Sequence, residues 1–144
     1  MESLVSHSVY FYVTGSKAFA DESLIITTEV DNSAASTGGG STQAVCETTY
    51  DKVFLLSYAE LVNTSYGFSA DDTRCCKATD WAIANGAAYS DNPSYLYNGY
   101  YWTRSPYDDF SDYAYYVAGA GWLHGSYGGF TGYGVRPGLS LRIA

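Results

Sequence analysis

The chain has 144 residues, an apolar fraction of 47% and a formal net charge of −8. That length suits one domain with a single core, and with 7 Lys+Arg there is no basic patch, which argues against nucleic acid and against anionic membrane surfaces as partners. Cys46, Cys75 and Cys76 are an odd count with no disulfide framework, and they read as small buried hydrophobes.

Met1 is followed by Glu2, so no apolar leader is expected, and no run approaches the length of a transmembrane helix. Leu4 to Tyr12 reads equally as a short helix or, through Val9 to Val13, as a strand. Ala20 to Ser23 suits a turn or helix start. Leu24 to Val30 is β-branched and apolar, hence a strand. Asp31 to Gln43, with Gly38-Gly39-Gly40, reads as a loop with nothing to bury. Asp51 to Leu56 is the clearest strand, and its consecutive apolar residues predict burial on both faces. Ser57-Tyr58-Ala59-Glu60 is a capping box that starts a short helix at Tyr58, ending near Asn63. Ser69-Ala70-Asp71-Asp72 repeats the device. It predicts a second helix from about Ala70 to Asn85, terminated by Gly86, with Cys75, Ala78 and Ala82 on one face and Trp81 beside them. Adjacent Cys75 and Cys76 on that helix could not bridge each other.

After Gly86 the texture changes. Short strands are predicted at Tyr100 to Arg104, Ala114 to Val117 and Gly121 to Leu123. A last strand, Gly134 to Ile143, alternates Leu139, Leu141 and Ile143 toward a core. Helices first and an irregular β region last predict an α+β domain spanning 1–144, two helices packed on a small irregular antiparallel sheet with long loops.

Between Tyr89 and Tyr133 lie most of the 16 tyrosines, together with Trp102 and Trp122, amid Gly, Ser, Asn and Asp. Lys, Glu, Gln and Met are missing there. Cores favour Leu, Ile and Val, and disordered tails are poor in aromatics. The vocabulary is that of a paratope: Tyr supplies stiff amphipathic area, and Ser, Gly and Asn supply adaptable hydrogen bonds. Two other readings stand beside it, a Tyr-rich low-complexity tract and a Tyr-lined core under long loops.

Catalytic and metal chemistry is not legible. His7 and His124 have no partners at ligand spacing. Asp108, Asp109 and Asp112 lack the glycine and terminal glutamate of an EF-hand. No nucleophile elbow, Walker loop or dinucleotide fingerprint occurs. A non-enzymatic protein without metal or cofactor is expected.

Asp51-Lys52-Val53-Phe54-Leu55-Leu56-Ser57, Tyr66-Gly67-Phe68, Arg74 to Asp80, Tyr101-Trp102-Thr103-Arg104-Ser105-Pro106 and Gly134-Val135-Arg136-Pro137-Gly138-Leu139 occur in this order. The pattern resembles a bacterial domain family of unknown function within the C-type lectin-like fold, on the branch of the formylglycine-generating enzymes. It covers roughly Leu24 to Ala144. It is more closely similar to the variable proteins of diversity-generating retroelements, in which adenines of a template are randomised. An Asn codon so altered cannot become Lys, Glu, Gln, Met or Trp. Between Tyr107 and Tyr133 every residue except Trp122 obeys that restriction. The resemblance implies a variable region of about 95–133 that binds a protein or glycan, and a setting at a cell surface or on a phage. Its contact residues would be Tyr107, Asp108, Asp109, Phe110, Asp112, Tyr113, Tyr115, Tyr116, Ala118, Ala120, Trp122, His124, Ser126, Tyr127, Phe130 and Tyr133, extended by Tyr95, Tyr97 and Tyr100. Arg104 and Arg136 would hold backbone carbonyls, and Trp102 would fill the core. The calcium-dependent sugar motifs of true C-type lectins are absent. Cys75 and Cys76 do not match the late active-site cysteines of the formylglycine-generating enzymes, so that activity is not implied. The alternative is a fixed carbohydrate- or surface-binding module.

Overall fold

The computed structural model describes residues 25–33, 37–38, 46–107, 110 and 112–141. Its strands are β1 (Ile25–Ile26), β2 (Thr28–Val30), β3 (Thr49–Asp51), β4 (Phe54–Leu55), β5 (Tyr101–Pro106), β6 (Tyr113–Val117), β7 (Leu123–Tyr127), β8 (Gly134–Val135), β9 (Pro137–Gly138) and β10 (Ser140–Leu141). Helices α1 (Tyr58–Leu61) and α2 (Asp80–Ala84), with 3₁₀ turns at Thr64–Tyr66, Asp71–Arg74 and Pro93–Tyr95, lie between β4 and β5. The architecture is α+β. Among the described residues these two helices sit between two groups of strands, and the segment from Leu4 to Tyr12, expected as a helix or a strand, lies outside them.

Residues far apart in sequence make the pairings. β1 pairs with β10 and β4 with β9, both antiparallel. β2 pairs with β3. β7, β6, β5 and β8 form a four-stranded sheet in that order. Its β5–β8 pairing is parallel, so the sheet is not purely antiparallel.

The Ser57 capping box forms as its sequence predicts. Glu60 N donates to Ser57 Oγ at 3.1 Å, and Ser57 N donates to Glu60 Oε2 at 2.7 Å. Glu60 then pairs with Arg104, whose Nη2 lies 3.0 Å from Oε1, while Arg104 Nη1 donates to Leu55 O at 2.8 Å. One carboxylate thus caps a helix and anchors a sheet arginine. Glu60→Gln is expected to cost about 1–2 kcal/mol by urea unfolding, since a charge-assisted pair and a cap weaken together.

The predicted helix from Ala70 to Asn85 does not form. The chain makes a 3₁₀ turn over Asp71–Arg74, becomes extended at Cys75 (φ −62°, ψ 141°), and re-enters helix only at Asp80 with Thr79 as its cap. Long-range backbone bonds hold the break: Gly99 N donates to Cys76 O and Ala78 N to Tyr97 O, each at 2.8 Å. Ala70 cannot cap with its own methyl, and Thr73 Oγ1 reaches back to the Ala70 backbone instead. Cys75, Ala78 and Ala82 therefore share no helix face, and Trp81 is 69% exposed. α2 buries no residue, and of these two helices it is α1 that carries a buried side chain, Leu61. Gly86 does end α2 in the left-handed region, at φ 88°.

Other expectations shift by smaller amounts. The strand from Asp51 to Leu56 breaks at Lys52 and Val53, and Val53 is exposed because only Phe54 and Leu55 pair with β9. The expected strand from Gly134 to Ile143 divides into β8, β9 and β10, each with its own partner. Ser140 is the buried position of β10, while Leu141 faces out and Ile143 lies outside the described residues, as does the segment from Leu4 to Ser23. Within the expected loop Asp31 to Gln43, Thr37 is buried and its carbonyl accepts from Ser105 Oγ at 2.7 Å.

Among the described residues the apolar core is small. Leu61, Phe68, Tyr101 and Val117 are buried together, flanked by Leu56, Tyr66, Cys76 and Leu123. The core aromatic of β5 is Tyr101, not Trp102, because strand alternation turns the two to opposite sides. Among the described residues buried polar side chains outnumber buried apolar ones, and Arg74, Asn98, Thr103 and Ser105 all hydrogen-bond to backbone. None of the cysteines is fully buried, and Cys46 is exposed.

Candidate functional site

The hairpin of β6 and β7 carries most of the expected contact residues. Its bend runs from Ala118 to Trp122, so Gly121 belongs to a turn rather than to a strand. Ala118 N donates to Trp122 O and Gly121 N to Ala118 O, both at 2.8 Å. The frame grips this bend from below. Arg74 Nε donates to Gly121 O and Asn98 Nδ2 to Gly119 O, again at 2.8 Å. Ala118 and Ala120 are half-buried in that grip.

Register then sorts the side chains. Tyr116 stands opposite Trp102 and His124, and Tyr115 opposite Gly125. Alternation sends Trp102, Tyr116, His124 and Ser126 to one face. There the Tyr116 ring stacks on Tyr133 at 4.3 Å, and Tyr133 meets Trp102 at 4.9 Å and Phe130 at 4.6 Å. Tyr100 stacks on Tyr133 at 5.7 Å, and Trp122 lies 6.1 Å from His124. Trp102, expected in the core, is half-buried in this outer cluster.

The opposite face carries Tyr101, Val117 and Leu123 into the core, then Tyr115 and Tyr113 beyond it. The Tyr115 ring packs 4.7 Å from Tyr58 of α1 and 4.8 Å from Tyr107. The Tyr107 ring lies flat on Gly125, where an added Cβ would come within 2.2 Å of it. Tyr113 meets Phe110 at 5.4 Å and Tyr127 at 6.3 Å.

The expected contact set thus divides between two faces of one sheet. Phe110, Asp112, Tyr113, Trp122, His124, Tyr127 and Phe130 are exposed. Tyr107, Tyr115, Tyr116, Ser126 and Tyr133 are half-buried, with Tyr107 packed on Tyr115 and Tyr115 also on Tyr58. Asp108 and Asp109 lie outside the described residues. Of the extension, Tyr97 is exposed, and Tyr95 and Tyr100 are half-buried.

Crowding alters one phenol of the outer cluster. Burial, then the hydrogen bond with Tyr133 and the neighbouring phenols, pushes Tyr116 up to about 12. A tyrosine raised above its ordinary value, about 10, favours the folded state fully below that value. Its contribution is lost as pH rises through the folded pKa. Stability is therefore expected to fall between pH 10.0 and about 12. Tyr116→Phe should flatten that slope in urea melts taken across the range. An unchanged slope would show that Tyr116 does not carry it.

Sequence reasoning missed a cleft at the β8 edge of the sheet. It has a volume of about 510 Å³ and opens between α2 and the strands, lined by Lys77, Trp81, Ala82, Tyr100, Tyr133, Val135 and Arg136 among others. Tyr100 and Tyr133 alone connect it with the expected set. The exposed Trp81 was the available signal, hidden by its assignment to a packed helix face. Arg136 does hold a carbonyl, donating from Nη1 to Arg74 O at 2.7 Å and to the Tyr101 hydroxyl at 2.9 Å. Arg74, which performs the most central anchoring, opens one of the segments that carry the resemblance, but its place beside Gly121 O and Leu61 O is not legible from that segment.

No group of three or more His, Cys, Asp or Glu side chains capable of holding a metal occurs among the described residues. Burial raises the Cys75 and Cys76 thiols above their ordinary value, which keeps both protonated at neutral pH. Among the described residues no helix is long and apolar enough to cross a membrane.

No curated protein and no solved structure matches the chain. A family model described as a domain of unknown function, DUF6273, matches residues 16–143. That match takes in the capping box, the sheet and the hairpin together, and the chain belongs to the DUF6273 family.

Proposed function

We propose that this is a non-enzymatic, C-type lectin-like binding protein whose β6–β7 hairpin and following loop form a diversified surface for a protein or glycan. The observation that carries the reading is the separation of anchor from display. Backbone carbonyls of the bend are held by Arg74 and Asn98, while Trp122, Tyr127 and Phe130 are 55%, 55% and 47% exposed. Side chains there can change without removing the bonds that hold the bend. Loops on a rigid scaffold suit this use, and exposed Tyr and Trp give contact area at low entropic cost.

Two measurements test it. Trp122→Ser and Tyr127→Ser are expected to shift stability by no more than about 0.5 kcal/mol in urea melts, as exposed substitutions do. Losses several times larger would tie the surface to the fold. At the level of DNA, a near-copy of this segment carrying adenines at the Tyr113, His124, Tyr127 and Phe130 codons should lie near a reverse transcriptase gene. Absence of both removes diversification.

A fixed binding module is the second reading, and Tyr107 on Gly125 favours it. No side chain larger than hydrogen fits at Gly125 while that ring stays. Sequences from related strains separate the readings. Changes clustered on the exposed hairpin positions support diversification, and changes spread evenly support the fixed module.

A further inference from the structure

The cleft beside β8 combines features that the display surface does not need. Trp81 and Val135 are each 69% exposed on its walls, and Trp81 stands on a helix that buries nothing. The lining also includes the stacked pair of Tyr100 and Tyr133, inclined by 15°. A volume near 510 Å³ falls within the ordinary range for small-molecule sites, which are mostly apolar with a few convergent polar groups. The charge of the lining is one-sided. Lys77 and Arg136 are present, and no carboxylate occurs among the described lining residues, in a chain of net charge −8. An ammonium has three N–H donors. Lys77 directs one of them to Leu96 O, which leaves others for a ligand. Arg136 also lines the cleft, its guanidinium oriented by Arg74 O and the Tyr101 hydroxyl.

We propose that this cleft binds a planar aromatic molecule bearing a carboxylate. The ring lies between Trp81 and the Tyr100–Tyr133 pair, and the carboxylate faces Lys77. The inference does not rest on diversification of the hairpin.

Proton–nitrogen correlation spectra of the whole chain, titrated with indoleacetate, indole or tryptamine at neutral pH, test it. These probes share one ring and carry negative, zero and positive charge. Indoleacetate is expected to shift the Trp81 indole N–H and the Ala82 and Val135 amides saturably. Indole should bind roughly threefold more weakly, the size of an exposed charge pair, and tryptamine more weakly still. Trp81→Ala should abolish the shifts at Ala82 and Val135. Lys77→Gln should bring indoleacetate down to the affinity of indole. Trp122→Ser should leave all three affinities unchanged. Equal affinities for the three probes, or shifts spread over the surface without saturation, overturn the inference. Loss of binding in Trp122→Ser would also overturn it, by moving the ligand to the hairpin face.

Discussion

Gly121→Ala is expected to destabilise the protein by about 3–5 kcal/mol, a loss at the exceptional end for one methyl group. Gly121 holds φ 86°, and an added Cβ would lie 1.7 Å from Asp71 O and 2.4 Å from its carbonyl carbon. The left-handed backbone alone accounts for roughly 1–2 kcal/mol. The rest comes from the collision, which is with backbone and cannot be relieved by a rotamer change. Either the Asp71–Arg74 turn or the hairpin bend must move. Gly67 supplies the control. It holds φ 89° with nothing within 4 Å of its would-be Cβ, so Gly67→Ala carries the backbone term without the collision and should cost about 1 kcal/mol. Comparable losses in urea melts of the two variants would show that close approach at Gly121 is unimportant.

Arg74→Met should cost about 3 kcal/mol or more, because it strands buried acceptors that water cannot reach. The guanidinium donates from Nε to Gly121 O at 2.8 Å and from Nη1 to Leu61 O at 3.2 Å, and Nη2 pairs with Asp71. The side chain thereby ties the hairpin bend, the end of α1 and a 3₁₀ turn together. Arg74→Lys is not expected to rescue it, since one ammonium cannot reproduce a planar fork aimed in three directions. Asp71→Asn should matter far less, under about 1 kcal/mol, because that carboxylate is half exposed and water screens the pair. Arg74→Met and Gly121→Ala together should lose less than the sum of their separate effects, since each releases the same joint. Strict additivity in a double-mutant cycle would show that they act at separate places. Loss of Arg74 should also raise amide exchange in Ala118 to Trp122 more than in β4.

Local signals proved legible where neighbouring residues satisfy one another. The Ser57 box works because Glu60 is three residues away on the same turn, and Gly86 ends a helix because it alone tolerates the left-handed region there. β5 and β6 follow their aromatic and β-branched runs to within one or two residues. The helix expected through Cys75 and Lys77 failed for the opposite reason. Its backbone groups bond to Tyr97 and Gly99, partners about twenty residues on, which periodicity within a window cannot reveal. The final strand divided because β5, β4 and β1 each claim part of it.

The candidate surface was legible as a composition and not as a place. Tyr, Trp and Gly density marked the segment, but strand alternation put Tyr115 against Tyr58 of α1 and Tyr116 beside Trp102, while the flanking Tyr107 and Tyr133 pack on Tyr115 and Tyr116. Asn98, Arg74 and Gly121 decided which carbonyls were held and so which side chains remained outward. Sequence by itself determined which residues supply aromatic area, the Ser57 box that begins α1 and the Gly86 stop that ends α2. Tertiary structure alone decided that Arg74 reaches Gly121, that Trp81 faces a cleft, and that one aromatic segment serves two faces. Those outcomes rest on contacts between residues far apart in the chain, whose free energy exists only once the ends of each intervening loop have been brought together.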